Sequence, residues 1–152
     1  MESKVIVITG GTSGIGFACA EYLISRNYTV VITGRTKSTL EVAVSKLGSQ
    51  GIGILSDTSS LRDIDALVEE VKKRVNKIDG LFINAGIFKS ISFEETTEEL
   101  YAETMNINFK GAFFTVQKFI PILKNALNTT MEVLKTILEG FFRIGMKPSK
   151  IY

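Results

Sequence analysis

Residues Val5 to Gly16 read VIVITGGTSGIG, and no other stretch constrains the fold as tightly. Val5 to Ile8 are four consecutive β-branched apolar residues with no polar alternation. That run predicts a strand covered on both faces, as in a parallel sheet. Glycines follow at 10, 14 and 16. They let the backbone bend sharply and approach a ligand with no Cβ in the way. Helix-compatible sequence continues from Ile15. A strand, a glycine bend and a helix start together make a phosphate site, because the free N–H groups of the first turn and the helix dipole both favour an anion. Gly10, Thr12, Ser13, Gly14, Ile15 and Gly16 are therefore candidate cofactor-binding residues.

A chain of 152 residues is long enough for one domain with a sizeable core. Hydrophobic residues at 45% and charged residues at 22% place it among ordinary globular chains. A net charge of +2 gives no reason to expect nucleic acid. The sequence contains no histidine, which removes histidine bases, triads and metal ligands together. Its one cysteine, Cys19, excludes an intrachain disulfide and suits a reducing cytosol. Cys19 is expected to be a small buried apolar residue. No apolar run approaches membrane-spanning length, and no basic leader with a cleavage site is present. The expectation is a cytoplasmic protein with no membrane, metal or nucleic-acid partner.

Along the chain, Ile15, Ala18, Cys19, Tyr22 and Leu23 predict a first helix to about Arg26, stopped at Asn27. Val30–Ile32 predicts a second strand ending at Thr33-Gly34-Arg35. Ser38 and Glu41 have capping-box spacing for a second helix with Leu40, Val44 and Leu47 on one face, ended by Gly48. Gly51 to Asp57 holds a short third strand around Ile54-Leu55. Ser60 can cap a third helix with a stripe of Ile64, Leu67, Val68, Val71 and Val75. Asp79-Gly80 turns the chain into a fourth strand, Leu81–Ile83, which stops at Asn84-Ala85-Gly86. A longer connection reaches Thr96-Thr97. Glu98 to Lys124 is mostly helical, in two segments meeting near Asn106. Glu94, Glu95, Glu98 and Glu99 suit a helix start, where carboxylates favour the dipole. Strand and helix alternate, which predicts an α/β fold: a doubly wound parallel sheet with helices on both faces.

The glycine bend is no Walker loop, because Phe17 follows Gly16 where a Lys-Ser/Thr pair would stand. A dinucleotide fold reads the ribose 2′ position about twenty residues after the bend. An NAD site places a carboxylate there. This chain offers Gly34 and Arg35. A guanidinium binds a 2′-phosphate with charge-assisted hydrogen bonds. Arg35, with Lys37 nearby, therefore argues for NADP(H), with NAD(H) as the alternative; an exposed loop arginine is the plainer reading.

These residues resemble the short-chain dehydrogenase/reductase family over roughly Lys4 to Lys124. Thr9 to Gly16 is similar to the family's TGxxxGxG coenzyme motif. Asp57 matches the aspartate that the family sets on the adenine amino group, with Thr58 beside it; as a plain turn residue it would lead into Thr58-Ser59-Ser60. Asn84-Ala85-Gly86 resembles NNAG, with Ile83 in place of the first asparagine. There it walls the cofactor cleft, whereas otherwise it is a simple strand exit. Asn108-Phe109-Lys110-Gly111 resembles NxxG, whose asparagine is catalytic in the family; Asn108 could equally mark the irregularity where the helical segments meet. The resemblance implies a Rossmann-type NAD(P)-binding domain over 1–124 and hydride transfer between nicotinamide and a carbonyl/alcohol carbon.

The family's Tyr-x-x-x-Lys is absent: Tyr22, Tyr28 and Tyr101 are followed four residues on by Arg26, Ile32 and Met105, and Tyr152 is last. Residues 125–152 do not follow the family and predict a helical tail of the same domain, with Leu134, Ile137, Leu138 and Phe141 on one face. The sheet is then incomplete, about four strands plus a C-terminal helix, shortened before the catalytic motif. The fourth strand would be an open edge, which proteins usually cover. The long helix keeps Phe113, Phe114 and Ile120 on a face that in the family meets another subunit. Homo-oligomerisation through that helix or edge is expected. Three roles fit: an oxidoreductase with doubtful activity, a non-catalytic dinucleotide-binding module, or a truncated gene product.

Overall fold

The computed structural model describes residues 3–75 and 78–123. The predicted tail over 125–152 lies outside them. The elements run β1 (Val5–Ile8), α1 (Gly14–Ile24), β2 (Thr29–Gly34), α2 (Lys37–Leu47), β3 (Gly51–Leu55), α3 (Leu61–Val75), β4 (Gly80–Phe82), α4 (Glu98–Met105) and α5 (Ala112–Phe119). A π-helical segment, Asn106–Gly111, joins the last two helices, and a 3-10 turn, Ile120–Ile122, follows them.

The described strands form a parallel sheet in the order β3-β2-β1-β4. The chain winds outward from β1 to β3, then crosses back to lay β4 on the other side of β1. Period-two alternation sends side chains to two cores. Val7, Val31 and Ile54 pack with Leu67, Val68 and Val71 of α3 and Phe119 of α5. Ile8, Val30 and Ile32 pack with Ala20 of α1 and Leu40, Ala43 and Leu47 of α2. The doubly wound α/β architecture read from the sequence is the one observed. β4 ends the order, and its side of the sheet takes one further parallel bridge, from Ile78 to Leu123, with the Ile78 N–H donating to Ile122 O at 3.0 Å.

Most boundaries fall within two residues of their expected places. Asn27 stops α1 in the left-handed region, at φ 62°. Ser60 caps α3: its Oγ accepts from the Asp63 N–H at 3.2 Å and donates to the Asp63 carboxylate at 3.0 Å. The Ser38–Glu41 capping box does not form. The N-cap of α2 is Thr36, with no side-chain capping bond. The chain bends at Arg35 and is still extended at Thr36, so α2 begins at Lys37 and Ser38 already lies inside the first turn. Glu41 instead faces Lys37 at 3.8 Å.

Candidate functional site

All four strands end at one cleft of about 360 Å3. Gly10, Thr12 and Ser13 reach it after β1, and Thr33, Gly34 and Arg35 at the end of β2. Ser56, Asp57 and Thr58 follow β3. Asn84 to Ile87 follow β4, and Ile107 comes from the π segment. The order of winding reverses between β1 and its parallel neighbour β4, and open α/β sheets bind ligands at such a switch point.

Gly10 and Gly14 hold φ of +64° and +56°, which L side chains resist. A Cβ at Gly10 would also stand 2.8 Å from Ala85 Cα. The bend therefore lies directly on the exit of β4. Asn84 ties the two together: its Nδ2 donates to Gly10 O at 2.9 Å and Thr9 O at 3.1 Å. Thr9 returns the tie, its Oγ1 accepting from the N–H groups of Asn84 and Ala85, both at 3.0 Å. Gly16 is buried behind the bend, where a Cβ would meet Asn84 Nδ2 at 2.5 Å. Gly14, Gly16 and Ile15, which is 67% exposed, do not line the cleft. They set the start of α1 above it. No side chain caps that helix, so its first N–H groups are not consumed by a capping residue.

Arg35 is exposed on the cleft wall, and no carboxylate pairs with it among the described residues. Lys37 turns to Glu41 and does not line the cleft. Asp57 makes the turn expected of it after β3. Its Oδ1 accepts from the Ser59 N–H at 2.8 Å and Oγ at 2.7 Å, while the residue lines the cleft.

Asn108 does not line the cleft. Its Oδ1 accepts from the Ile87 N–H and its Nδ2 donates to Ile87 O, both at 2.8 Å. The π segment carries this clamp, and π-bulges recur where a helix must re-aim a side chain. The irregularity expected at Asn108 is thus observed, in the π segment beside the cleft. Beyond Ile87 a second hollow of about 410 Å3 opens between the 87–96 connection and α4.

Thr33, Ser56, Ile87 and Ile107 line the cleft without having been singled out from the sequence. Thr9, Thr33 and Ser56 are all buried, and each closes an apolar run with one hydroxyl residue. That repeated punctuation was a usable signal. Ile107 carried none. Cys19 is half-buried, not fully buried as expected, and burial pushes its thiol above the ordinary value, which disfavours the thiolate. Among the described residues no cluster of ligating side chains could hold a metal, and no helix is long and apolar enough to cross a membrane.

Comparison with known proteins places this geometry. The family model for short chain dehydrogenases matches residues 4–130. The oxidoreductase asL5 of Sarocladium schorii is 33% identical over 126 residues, covering 83% of this chain and 51% of that protein. An NADP-dependent (R)-specific alcohol dehydrogenase of Lentilactobacillus kefiri is 30% identical over 143 residues, covering 93% of this chain and 57% of its own length. The crystal structure of a 3-ketoacyl-(acyl-carrier-protein) reductase from Brucella melitensis complexed with NADH superposes with a TM-score of 0.76 at 32% identity. That match covers 80% of this chain and 50% of the reductase. The chain thus spans about half the length of the relatives it matches.

Proposed function

Since this chain belongs to the short-chain dehydrogenase family, an oxidoreductase family with an NAD(P)-binding fold, we propose that its cleft holds NADP(H) in preference to NAD(H). The observation that carries this is Arg35, exposed on the cleft wall at the end of β2 and ion-paired to no carboxylate among the described residues. A guanidinium there favours a 2′-phosphate, whereas an NAD site would set an acid at that place. The NADP-dependent Lentilactobacillus relative supports the preference; the NADH complex of the Brucella reductase supports the cleft but not the preference.

In this reading residues 1–124 are the cofactor-binding unit. The glycine bend and the first turn of α1 hold the pyrophosphate, with Gly10, Thr12, Ser13, Gly14, Ile15 and Gly16 supplying backbone. Asp57 and Thr58 meet the adenine. Asn84, Ala85 and Gly86 wall the opposite side, and Asn84 keeps the bend in shape. Asn108 holds the β4 exit through Ile87. The nicotinamide, once bound, supplies or takes the hydride. Cofactor binding is the role assigned to these residues. NADPH oxidation with a panel of carbonyls separates an oxidoreductase from a dinucleotide-binding module without turnover.

We also propose that the chain acts in the cytoplasm, which its single cysteine suits, and that it self-associates. Tyr101, Phe113 and Ile120 are exposed along α4, α5 and the turn after them, an apolar surface of the kind that pairs. Sedimentation as a monomer at tens of micromolar would contradict the pairing.

Titration of NADPH and NADH into the chain and into Arg35→Ala tests the cofactor reading. Charge-assisted hydrogen bonds contribute about 1.5–3 kcal/mol, so Arg35→Ala is expected to weaken NADPH binding about tenfold or more and to leave NADH within about twofold. Equal losses for both dinucleotides would mean that Arg35 does not read the 2′ position.

A further inference from the structure

The connection after β4 leaves its apolar side chains in the open. Phe93 is 91% exposed and Phe88 75%. With Ile87, Ile91 and Leu100 they wall the hollow between residues 87–96 and α4. Aromatic side chains gain most when they are buried, and an exposed cluster of them marks an interaction site. The rim carries charge of mainly one sign: Glu94, Glu95, Glu98, Glu99 and Glu103 stand there against a single cation, Lys89. Lys89 is taken up by Glu103 at 2.6 Å. The other four glutamates pair with no cation among the described residues. An occupant that complements this face is apolar and aromatic in body and positive at its edges.

We propose that residues 141–152 of this same chain dock there. They read FFRIGMKPSKIY. Phe141, Phe142 and Tyr152 provide the aromatic bodies, Arg143, Lys147 and Lys150 provide the cations, and no acid occurs among them. The tether is long enough. Residues 124–140 separate this segment from Leu123, and an extended run of that length spans at most about 55 Å. A domain of about 120 residues has a radius of gyration of only about 14 Å. Tethering also holds the segment at an effective concentration of order millimolar, so modest contacts suffice. Ile87 lines the cleft as well as the hollow, so the docked segment stands beside the cleft. The docking is independent of what the cleft binds.

The test replaces Phe93, which is exposed enough to accept a larger ring, with the photo-crosslinker p-benzoylphenylalanine in the full chain. Products are mapped by mass spectrometry. An intrachain product with residues 141–152 is expected. Raising NaCl from about 0.02 M to about 0.5 M should cut its yield about fivefold or more, because salt screens exposed charges. Replacing Arg143, Lys147 and Lys150 together by Gln should cut it likewise, and touches none of the described elements. The reciprocal variant, Glu94→Gln with Glu95→Gln and Glu98→Gln, should do the same; should it not fold, the cation variant decides alone. A yield that neither salt nor the cation variant moves overturns the proposal. Products with other parts of the chain, or no product, overturn it too. So does a product that joins light to heavy chains in an isotopic mixture, since the occupant would then come from a second copy.

Discussion

Gly111→Ala is expected to lower stability by about 2 kcal/mol and to weaken NADPH binding about tenfold or more. Helix propensity alone predicts the opposite sign, since alanine is favoured over glycine by about 1 kcal/mol inside a helix. Packing decides against it. A Cβ at Gly111 would collide with the Thr58 carbonyl oxygen and lie 2.6 Å from Thr58 Cγ2 and 3.1 Å from the Thr58 carbonyl carbon. Two of those atoms are backbone, so rotation of a side chain gives no relief. The helix cannot retreat cheaply either: the buried Thr115 hydroxyl donates to Gly111 O at 2.7 Å, and Phe119 is fully buried one turn further on. The turn that yields is Asp57-Thr58, which lines the cleft. A denaturant midpoint and an NADPH titration on the same variant check both parts. A variant more stable than wild type with unchanged affinity would mean that the π segment and the turn are not in firm contact.

Thr9→Val carries the second large effect, about 1–5 kcal/mol of stability. The side chains are nearly isosteric, so no cavity opens. What is lost is one oxygen that accepts from two backbone N–H groups, those of Asn84 and Ala85. Thr9 is 1% exposed, which leaves both donors little access to water. Each unsatisfied buried donor costs about 1–3 kcal/mol, and the gained methyl returns about 0.8. Thr9→Ser keeps the oxygen and is expected to cost far less. Equal unfolding midpoints for the valine and serine variants would show that water or a shift of the 84–85 backbone satisfies those groups.

The two substitutions also mark where the sequence stopped being informative. The strands were legible because apolar runs bounded by glycine have few other uses, and α3 was legible because its stripe and its Ser60 cap agree. The break in the long helix was legible at Asn106, since asparagine disfavours helix interiors; its extent as a π segment over Asn106–Gly111 was not. The α2 cap was misread, because Ser38 and Glu41 have the right spacing but the point at which the chain leaves the sheet decides where the helix begins. Within the site, every lining residue that ends a strand sat beside a recognisable motif. The partnerships were hidden. Thr9 with Asn84 and Gly111 with Thr58 join residues far apart in the chain, and no local pattern states which glycine faces which carbonyl. Asn108 could be read as a special position, but its hold on the Ile87 backbone is visible only in three dimensions.

The wild-type arm of the NADPH titration, followed as thermal unfolding, bears most directly on whether the cleft is a dinucleotide site. A ligand that binds only the folded chain adds about 2.7 kcal/mol at a hundredfold excess over its Kd. NADPH is predicted to raise the melting temperature in a concentration-dependent way, and NADH to require higher concentrations for the same rise. A melting temperature unmoved by either dinucleotide at millimolar concentration would contradict the account.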